Sequence, residues 1–340
     1  MRPLLLAMLA LAATPALAKE PKPATPLFAS DTPIHVRIQG PMSDLAEKRG
    51  NVPLPGILTL PDTGATFAIA LSPRGITRRE KDICAFPPLR VDFTQKLAAG
   101  TLFDHQKRLK LVTHCKTSSD FQQKVLLEYA AYRMYNLLTP LSFRARLASI
   151  DYVDKDGRPY TSRFGFFIED IDDVAARNGM VKAVTPDRIP VGQLEPRGAA
   201  RFALFNYMIS NLDWSMRAGP AGEGCCHNGR LLAASSGPGM QVIPVPYDFD
   251  FSGLVDAPYA SPPAELKVRS VRQRLYRGYC MHSNEAKAAA ADMAARRGEI
   301  LGVLSSTPGL TAASQAKAAA YLDGFFKDLA AGTVLTKCVG

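Results

Sequence analysis

The sequence places two carboxylates two positions apart, directly after an apolar run. Residues 241–246 predict a buried strand, and Asp248 and Asp250 follow it. In extended backbone, side chains two residues apart point to the same side of the strand. The two carboxylates would therefore lie next to each other and repel unless a cation binds between them. Hard divalent ions such as Mg²⁺ suit such oxygen ligands and are commonly shared with substrate phosphates. The alternative is a solvated strand end whose carboxylates cap nearby backbone N–H groups.

A second polar group follows a helix predicted over 199–209. Asn211 and Asp213 come directly after it and precede an irregular loop, and Asn228 follows that loop. Asp213 is a candidate to orient or deprotonate an attacking hydroxyl. The alternative is that Asn211 only caps the helix. Phosphoryl transfer needs little more than a positioned metal, a lysine on the phosphates and a base near the acceptor, and these residue types supply those parts.

An acidic residue lies in the apolar stripe of a helix predicted over 119–138. Ser119 and Gln122 form a capping-box pattern at its start, and Glu128 falls in the middle of the stripe. A buried carboxylate is costly unless a cation meets it. Lys110, on a preceding strand, is the first candidate for that cation. The alternative is that the helix rolls and Glu128 reaches solvent.

Several stretches in one chain order carry a family resemblance. They are 74–78 (RGITR), 88–93 (PLRVDF), 126–133 (LLEYAAYR), 165–170 (GFFIED), 211–214 (NLDW), 227–228 (HN) and 246–250 (PYDFD). This order resembles the spore-coat-protein-H (CotH) kinase-like family, secreted relatives of protein kinases. The resemblance covers roughly residues 70–253. It rests on the order of the motifs, since each motif alone is moderately specific.

The resemblance implies an α+β fold with the two lobes of an atypical protein kinase. A β-rich N-terminal lobe with one helix would span 32–170, and a mainly helical C-terminal lobe would span 171–340. Ahead of both, 1–18 would be a signal peptide and 19–31, rich in Pro, Ala and Lys, a flexible tether.

The resemblance also implies roles for individual residues, with Mg²⁺ or Mn²⁺ and ATP or another nucleotide as cofactors. The catalytic base would be Asp213, the nucleotide would meet Lys110, Glu128, Arg74 and Glu169, and the metal would meet Asn228, Asp248 and Asp250. The chain departs from the family at Trp214, where the family has Arg. The phosphate-binding cation stays open between Arg90, Lys110 and Lys116, and either Asp248 or Asp250 could take the metal.

The expected activity is therefore Mg²⁺-dependent transfer of a phosphoryl group from a nucleotide to a protein or small hydroxyl acceptor. Trp214 and the open choice of lysine favour the alternative, a non-enzymatic envelope binding protein or pseudokinase. A third hypothesis is metal-dependent hydrolysis of a phosphoester on the same carboxylates.

Composition limits the class of protein. The 340 residues are 47% apolar and 21% charged, which excludes collagen, a coiled coil and a wholly disordered chain. The net charge of +10 is dispersed, and the basic clusters lack interleaved aromatic residues. Nucleic acid is therefore not an expected partner.

The N-terminus predicts export to the periplasm or beyond. Arg2, an apolar run over 4–13 and a small-residue cleavage pattern over 16–18 are typical of a signal peptide, with a buried helix or membrane anchor as the alternative. No later stretch is apolar enough to span a bilayer.

Export permits up to three disulfides, and Cys84 and Cys115 are expected to link two adjacent strands through a disulfide. The Cys225–His227 cluster is interpreted as a disulfide beside a loop histidine in preference to a metal site.

Overall fold

The structure is a computed structural model and describes residues 19–237 and 239–340. The predicted signal peptide over 1–18 lies outside the described residues. Across the described chain, seven strands close into a barrel and three form a separate sheet. The barrel strands are β1 (Ile34–Gln39), β2 (Leu54–Leu60), β3 (Ala65–Pro73), β4 (Leu89–Phe93), β5 (Arg108–Val112), β6 (Ala145–Val153) and β7 (Pro159–Ile168). The small sheet contains β8 (Val181–Lys182), β9 (Gly229–Ala233) and β10 (Ile243–Pro246).

The barrel closes through a parallel pairing between its first and sixth strands. Its order is β1-β2-β3-β4-β5-β7-β6, and β6 returns to pair in parallel with β1, from Ile34 opposite Ala148 to Gln39 opposite Val153. Alternating side chains fill the interior; Leu89 in β4 is fully buried there. Closure satisfies backbone groups that an open sheet would leave on its edges.

Seven helices accompany the strands in the described ranges. They are α1 (Met42–Glu47), α2 (Ser119–Leu138), α3 (Ile171–Arg177), α4 (Pro196–Ile209), α5 (Ser283–Ala295), α6 (Arg297–Ser306) and α7 (Ala312–Ala330). The helix α2 packs against β6, β7 and α6, so it lies between the barrel and the helical part. Its predicted span is confirmed, but Ser118 is the N-cap, and Gln122 accepts a hydrogen bond from Phe164 N at 2.8 Å instead of closing a capping box.

The predicted two-lobed kinase-like fold is wrong. A closed mixed barrel of seven strands stands where a β-rich N-terminal lobe with one helix was expected, and seven helices and a second sheet accompany it across residues 19–237 and 239–340. In β4 burial alternates along the strand, as its alternating apolar and polar residues indicate. Alternation reports which side of a strand is buried, but it carries no information on which strand pairs with which.

The segment predicted as a flexible tether is docked on the barrel. Leu27 and Phe28 are buried in its core cluster, on a short 3-10 turn over Pro26–Phe28. Arg144 donates to Phe28 O at 2.8 Å, and Arg146 donates to Leu27 O at 3.1 Å. The composition of 19–31 suggested a solvated linker, whereas two apolar side chains and two arginines anchor it.

All six cysteines are paired in disulfides, which are Cys84–Cys115, Cys225–Cys226 and Cys280–Cys338. The expected Cys84–Cys115 bond is confirmed, and it joins the segment before β4 to the segment after β5. Disulfides of this number are typical of proteins that fold in an oxidising compartment. No helix in the described residues is long and apolar enough to cross a membrane.

Candidate functional site

A buried arginine lies among three carboxylates. The Arg78 guanidinium is 3.2 Å from Glu128 Oε2 through Nη1, 3.2 Å from Asp250 Oδ2 through Nε and 3.6 Å from Asp248 Oδ1 through Nη2. The Arg78 side chain is only 8% exposed, and Glu128 is 1% exposed. A fixed planar cation with several donors suits this arrangement better than a lysine would.

The loop between β3 and β4 positions Arg78. It carries a short 3-10 turn over Thr77–Arg79, and the Cys84–Cys115 disulfide ties its far end to the segment after β5. Buried Arg49 donates hydrogen bonds to Arg79 O at 2.8 Å and to Cys84 O at 2.6 Å. Because these donors satisfy loop carbonyls away from water, the loop holds Arg78 in one place.

The cation that meets Glu128 is Arg78, so the expected ion pair with Lys110 is wrong. The helix α2 presents Glu128 to the core as predicted, and burial, the largest influence, raises its pKa to about 8, while Arg78 lowers it. Lys110 lies 5.1 Å above the Tyr247 ring. Burial, with Arg74 and Arg230 nearby, lowers the Lys110 pKa to about 8.

Asp248 and Asp250 reach the cluster from the end of β10. Asp248 adopts a left-handed backbone (φ 64°), so the segment is a turn and not the extended strand end that was expected. Its N–H donates to Tyr132 Oη at 2.9 Å, one helical turn beyond Glu128 in α2. The Tyr259 hydroxyl donates to Asp250 Oδ2 at 3.1 Å. Burial is the main reason that the Asp250 pKa rises to about 6.

Two residues that are adjacent to each other in the sequence, His227 and Asn228, hold Asp213 by hydrogen bonds. His227 Nε2 donates to Asp213 Oδ1 at 2.7 Å, and Asn228 Nδ2 donates to Asp213 Oδ2 at 2.8 Å. The hydrogen bond with Asp213 is the largest influence on His227 and raises its pKa. With Nε2 bonded to Asp213, the Nδ1 atom of this half-exposed histidine can exchange a proton with a ligand. The three residues can therefore act as an oriented acid–base group.

The end of α4 explains the position of Asp213. Ser210 caps the helix in left-handed conformation (φ 50°), and Asn211 Oδ1 accepts from Asp213 N at 3.1 Å. The residue that departs from the family pattern, Trp214, is 5% exposed and donates to Asn211 O at 2.9 Å. Arg277 stacks on its indole at 4.3 Å. Trp214 is therefore a structural residue that fixes this turn.

One cavity of about 480 Å³ unites most of the predicted site. Its polar lining includes Arg74, Asp213, His227, Asn228, Asp248 and Asp250, and Arg78 and Arg230 add positive charge. Glu128 lies behind Arg78 within the same carboxylate cluster. Glu169 does not join the site, because it is fully buried and paired with Arg177 at 2.9 Å.

The carboxylate cluster has the donor chemistry of a divalent cation site. One oxygen from each of Glu128, Asp248 and Asp250 lies within 4.8 Å of the others. Glu128 Oε1 is buried and has no hydrogen-bond partner, so a further cation would satisfy it. All three are hard oxygen ligands of the kind that Mg²⁺ and Mn²⁺ prefer. The predicted metal set included Asn228 and not Glu128, but the Asn228 amide is engaged with Asp213.

Sequence reasoning missed three residues of the site. Arg78 and His227 were seen only as parts of motifs, and Arg230 was not singled out. The signal for Arg230 was its charge within the otherwise apolar strand β9, where it is the one residue that is not fully buried. No local signal distinguishes Arg78 from the adjacent Arg79.

Comparison with known proteins places the chain in no family, because no family model matches it and no curated protein matches it.

Proposed function

We propose that the protein transfers a phosphoryl group from a nucleotide to a hydroxyl on a protein or small molecule, with a divalent cation bound at the carboxylate cluster. One observation carries the proposal: the cavity joins an Asp213–His227–Asn228 group, a carboxylate cluster and several cations. Residues from 74 to 250 supply these parts, and phosphoryl transfer requires this combination.

The cations would neutralise the phosphates. Arg74 and Arg230 line the cavity, and both lie close enough to Lys110 to lower its pKa. Three neighbouring positive charges repel one another, so an anionic ligand between them is favoured. Guanidinium groups bind phosphate oxygens in pairs, which would orient the transferred group.

Glu128, Asp248 and Asp250 would hold Mg²⁺ or Mn²⁺, which would polarise the phosphoryl oxygens. In the transfer itself, the acceptor hydroxyl oxygen forms a bond to the terminal phosphorus, and the bond from phosphorus to the leaving nucleotide oxygen breaks. The acceptor proton passes to His227 Nδ1, and Asp213 holds the ring and stabilises its charge. The remaining nucleotide diphosphate carries the leaving-group charge.

We further infer that the protein acts outside the cytoplasm, in the periplasm or beyond the cell. The three disulfides support this inference. The resemblance to the CotH kinase-like family stays a prediction, and the proposed chemistry rests on the site alone.

The test is transfer of the γ-phosphate of labelled ATP, with Mg²⁺ or Mn²⁺, to the protein itself and to hydroxyl acceptors. We expect transfer by the wild type, loss in Asp213→Asn and in Asp248→Asn, and no change in Asp62→Asn, which alters an exposed turn carboxylate. Equal activity in all four proteins, or ATP-dependent stabilisation that survives Asp248→Asn, would contradict the proposal.

A second candidate is binding of an anionic ligand without chemistry, as in an envelope binding protein. Arg78 favours it, because this residue already supplies a cation to all three carboxylates. Ligand-dependent stabilisation without divalent cations and without turnover would identify this function. Release of phosphate from a phosphomonoester in the absence of nucleotide would instead identify a hydrolase.

A further inference from the structure

We propose that a second cavity, between α2 and α7, binds a small molecule with an oxyanion head and an apolar body. The cavity measures about 490 Å³, a size typical of small-molecule sites. Its walls come from the first turns of α2 and α7 and from the segment around residues 254–258. No residue lines both this cavity and the candidate site, so the two are separate.

The charges in this cavity are unbalanced. Lys124, Arg272 and Lys317 all line it, together with Asp120 and Asp256. Asp256 Oδ2 already meets two of the cations, Arg272 Nη1 at 3.1 Å and Lys317 Nζ at 3.6 Å. One carboxylate oxygen therefore serves two positive groups.

Lys124 is the cation without a partner. Among the described residues, no carboxylate oxygen lies within 4 Å of its ammonium, although its side chain is half-buried. Burial, the largest influence, lowers the Lys124 pKa; Asp256 and Asp120 oppose it, while Lys317 and Arg272 lower it further. A bound oxyanion would relieve this repulsion and give Lys124 a hydrogen-bond acceptor.

Much of the remaining lining is apolar, beside the polar side chains of Ser118, Gln123 and Ser314, and this apolar part defines the body of the ligand. Phe121 and Leu127 of α2 face Leu254, Val255 and Ala318 across the cavity. The ring of Tyr321 also lines the cavity, with the guanidinium groups of Arg272 and Arg274 at 4.4 Å and 4.2 Å from its centroid. Apolar walls with a few convergent charges are the usual design of a site for an amphipathic small molecule. Inorganic phosphate alone would leave these walls uncovered.

The experiment compares three probes that share a phenyl ring and differ in the head group: phenylphosphonate, benzoate and benzyl alcohol. Phenylphosphonate contains no ester bond, so a phosphotransferase or hydrolase cannot consume it. Titration calorimetry with the full chain should show saturable binding of phenylphosphonate and weaker binding of benzoate, with none for benzyl alcohol. Stronger binding of benzoate would assign the head group as a carboxylate, within the same oxyanion class. Binding of all three with equal affinity, or of none, would overturn the proposal.

Variants locate the binding. Lys124→Met and Lys317→Met should each weaken phenylphosphonate binding about tenfold, the effect of losing about 1.4 kcal/mol. Lys287→Met, on the exposed face of α5, removes the same charge away from the cavity and should leave binding unchanged. Equal weakening by Lys287→Met would indicate diffuse attraction and overturn the proposal.

One further variant separates this site from the candidate catalytic cavity. Arg230→Met removes a cation from that cavity only. Phenylphosphonate binding should survive this change. Loss of binding in Arg230→Met, with retention in Lys124→Met, would place the ligand in the other cavity and reject the second site. This outcome is independent of whether ATP is used.

Discussion

Arg78 and Glu128, fifty positions apart in the chain, form a buried ion pair with 3.2 Å between Nη1 and Oε2. The pair joins the β3–β4 loop of the barrel to the middle of α2. The same guanidinium also contacts Asp250, so the barrel, α2 and the segment after β10 meet at one cation. Folding of the candidate site is therefore coupled to packing of the helical part against the barrel.

Arg78→Met is expected to destabilise the protein strongly. It would leave three carboxyl groups facing one another without their cation, and removal of one member of a buried ion pair costs about 3–5 kcal/mol. Urea unfolding at pH 9, above the folded-state pKa of Glu128, measures the loss. Arg158→Met, at an exposed turn, is the control. A loss below about 1 kcal/mol would show that Arg78 does not hold the cluster.

The contribution of Glu128 and Asp250 to the unfolding free energy should fall as pH rises from 5 to 8. Burial raises the folded-state pKa of Glu128 to about 8 and of Asp250 to about 6, so the folded protein holds protons that the unfolded chain releases. Stability from these groups is complete below their unfolded pKa and is lost as pH rises through the folded values. Glu128→Gln cannot ionise and should flatten this dependence. An unchanged slope in urea unfolding across this range would contradict the assignment.

Divalent cations should stabilise the protein more at pH 8 than at pH 6. Metal and protons compete for Glu128 and Asp250, whose pKa values are raised, and fewer protons must be displaced at the higher pH. Thermal unfolding with and without Mn²⁺ measures the difference. Asp248→Asn should reduce the stabilisation, whereas Asp62→Asn should not. A Mn²⁺ effect that is independent of pH would argue against these ligands.

Asp213→Asn should lower the pKa of His227. The Asp213 hydrogen bond is the main reason that this pKa is raised, and an amide stabilises the imidazolium less than a carboxylate does. Proton NMR titration of the His227 ring measures the change. Asp104→Asn, at a distant loop, serves as the control. A pKa that does not move would mean that the two side chains are not paired in solution.

The double change Cys84→Ser with Cys115→Ser should lower the unfolding free energy by about 4 kcal/mol, the chain-entropy value for a closed loop of 31 residues. Because this bond also anchors the loop that carries Arg78, Mn²⁺ stabilisation should weaken as well. Peptide mapping without reductant checks the pairing directly. Two free thiols at these positions in the wild type would contradict it.

Local patterns predicted the individual elements well. The span of α2 and the buried position of Glu128 follow from periodicity and turn residues. Asp213, Asn228, Asp248 and Asp250, which the order of polar residues along the chain singled out, line one cavity, and their roles stay a prediction.

Non-local relationships were not predictable in the same way. Pairing of β1 with β6 joins residues more than 100 positions apart, and no local pattern records it. The partner of Glu128 was misassigned for a similar reason: Arg78 and Lys110 are both basic, and only the loop geometry set by Arg49 decides between them. Glu169 was assigned to the site through the resemblance of 165–170 to the family, and the sequence does not show that it is buried and paired with Arg177.

The parallel pairing of β1 with β6 affects the order in which the molecule can assemble. A chain that emerges from its N-terminus presents β1 long before its second neighbour exists, so one side of this strand stays unsatisfied until β6 arrives. Contacts of such large sequence separation form slowly. The nascent protein is therefore exposed to aggregation, and open to chaperone binding, during that interval. Deletion of β1 would leave β2 and β6 as edge strands with unpaired backbone groups, which favour aggregation.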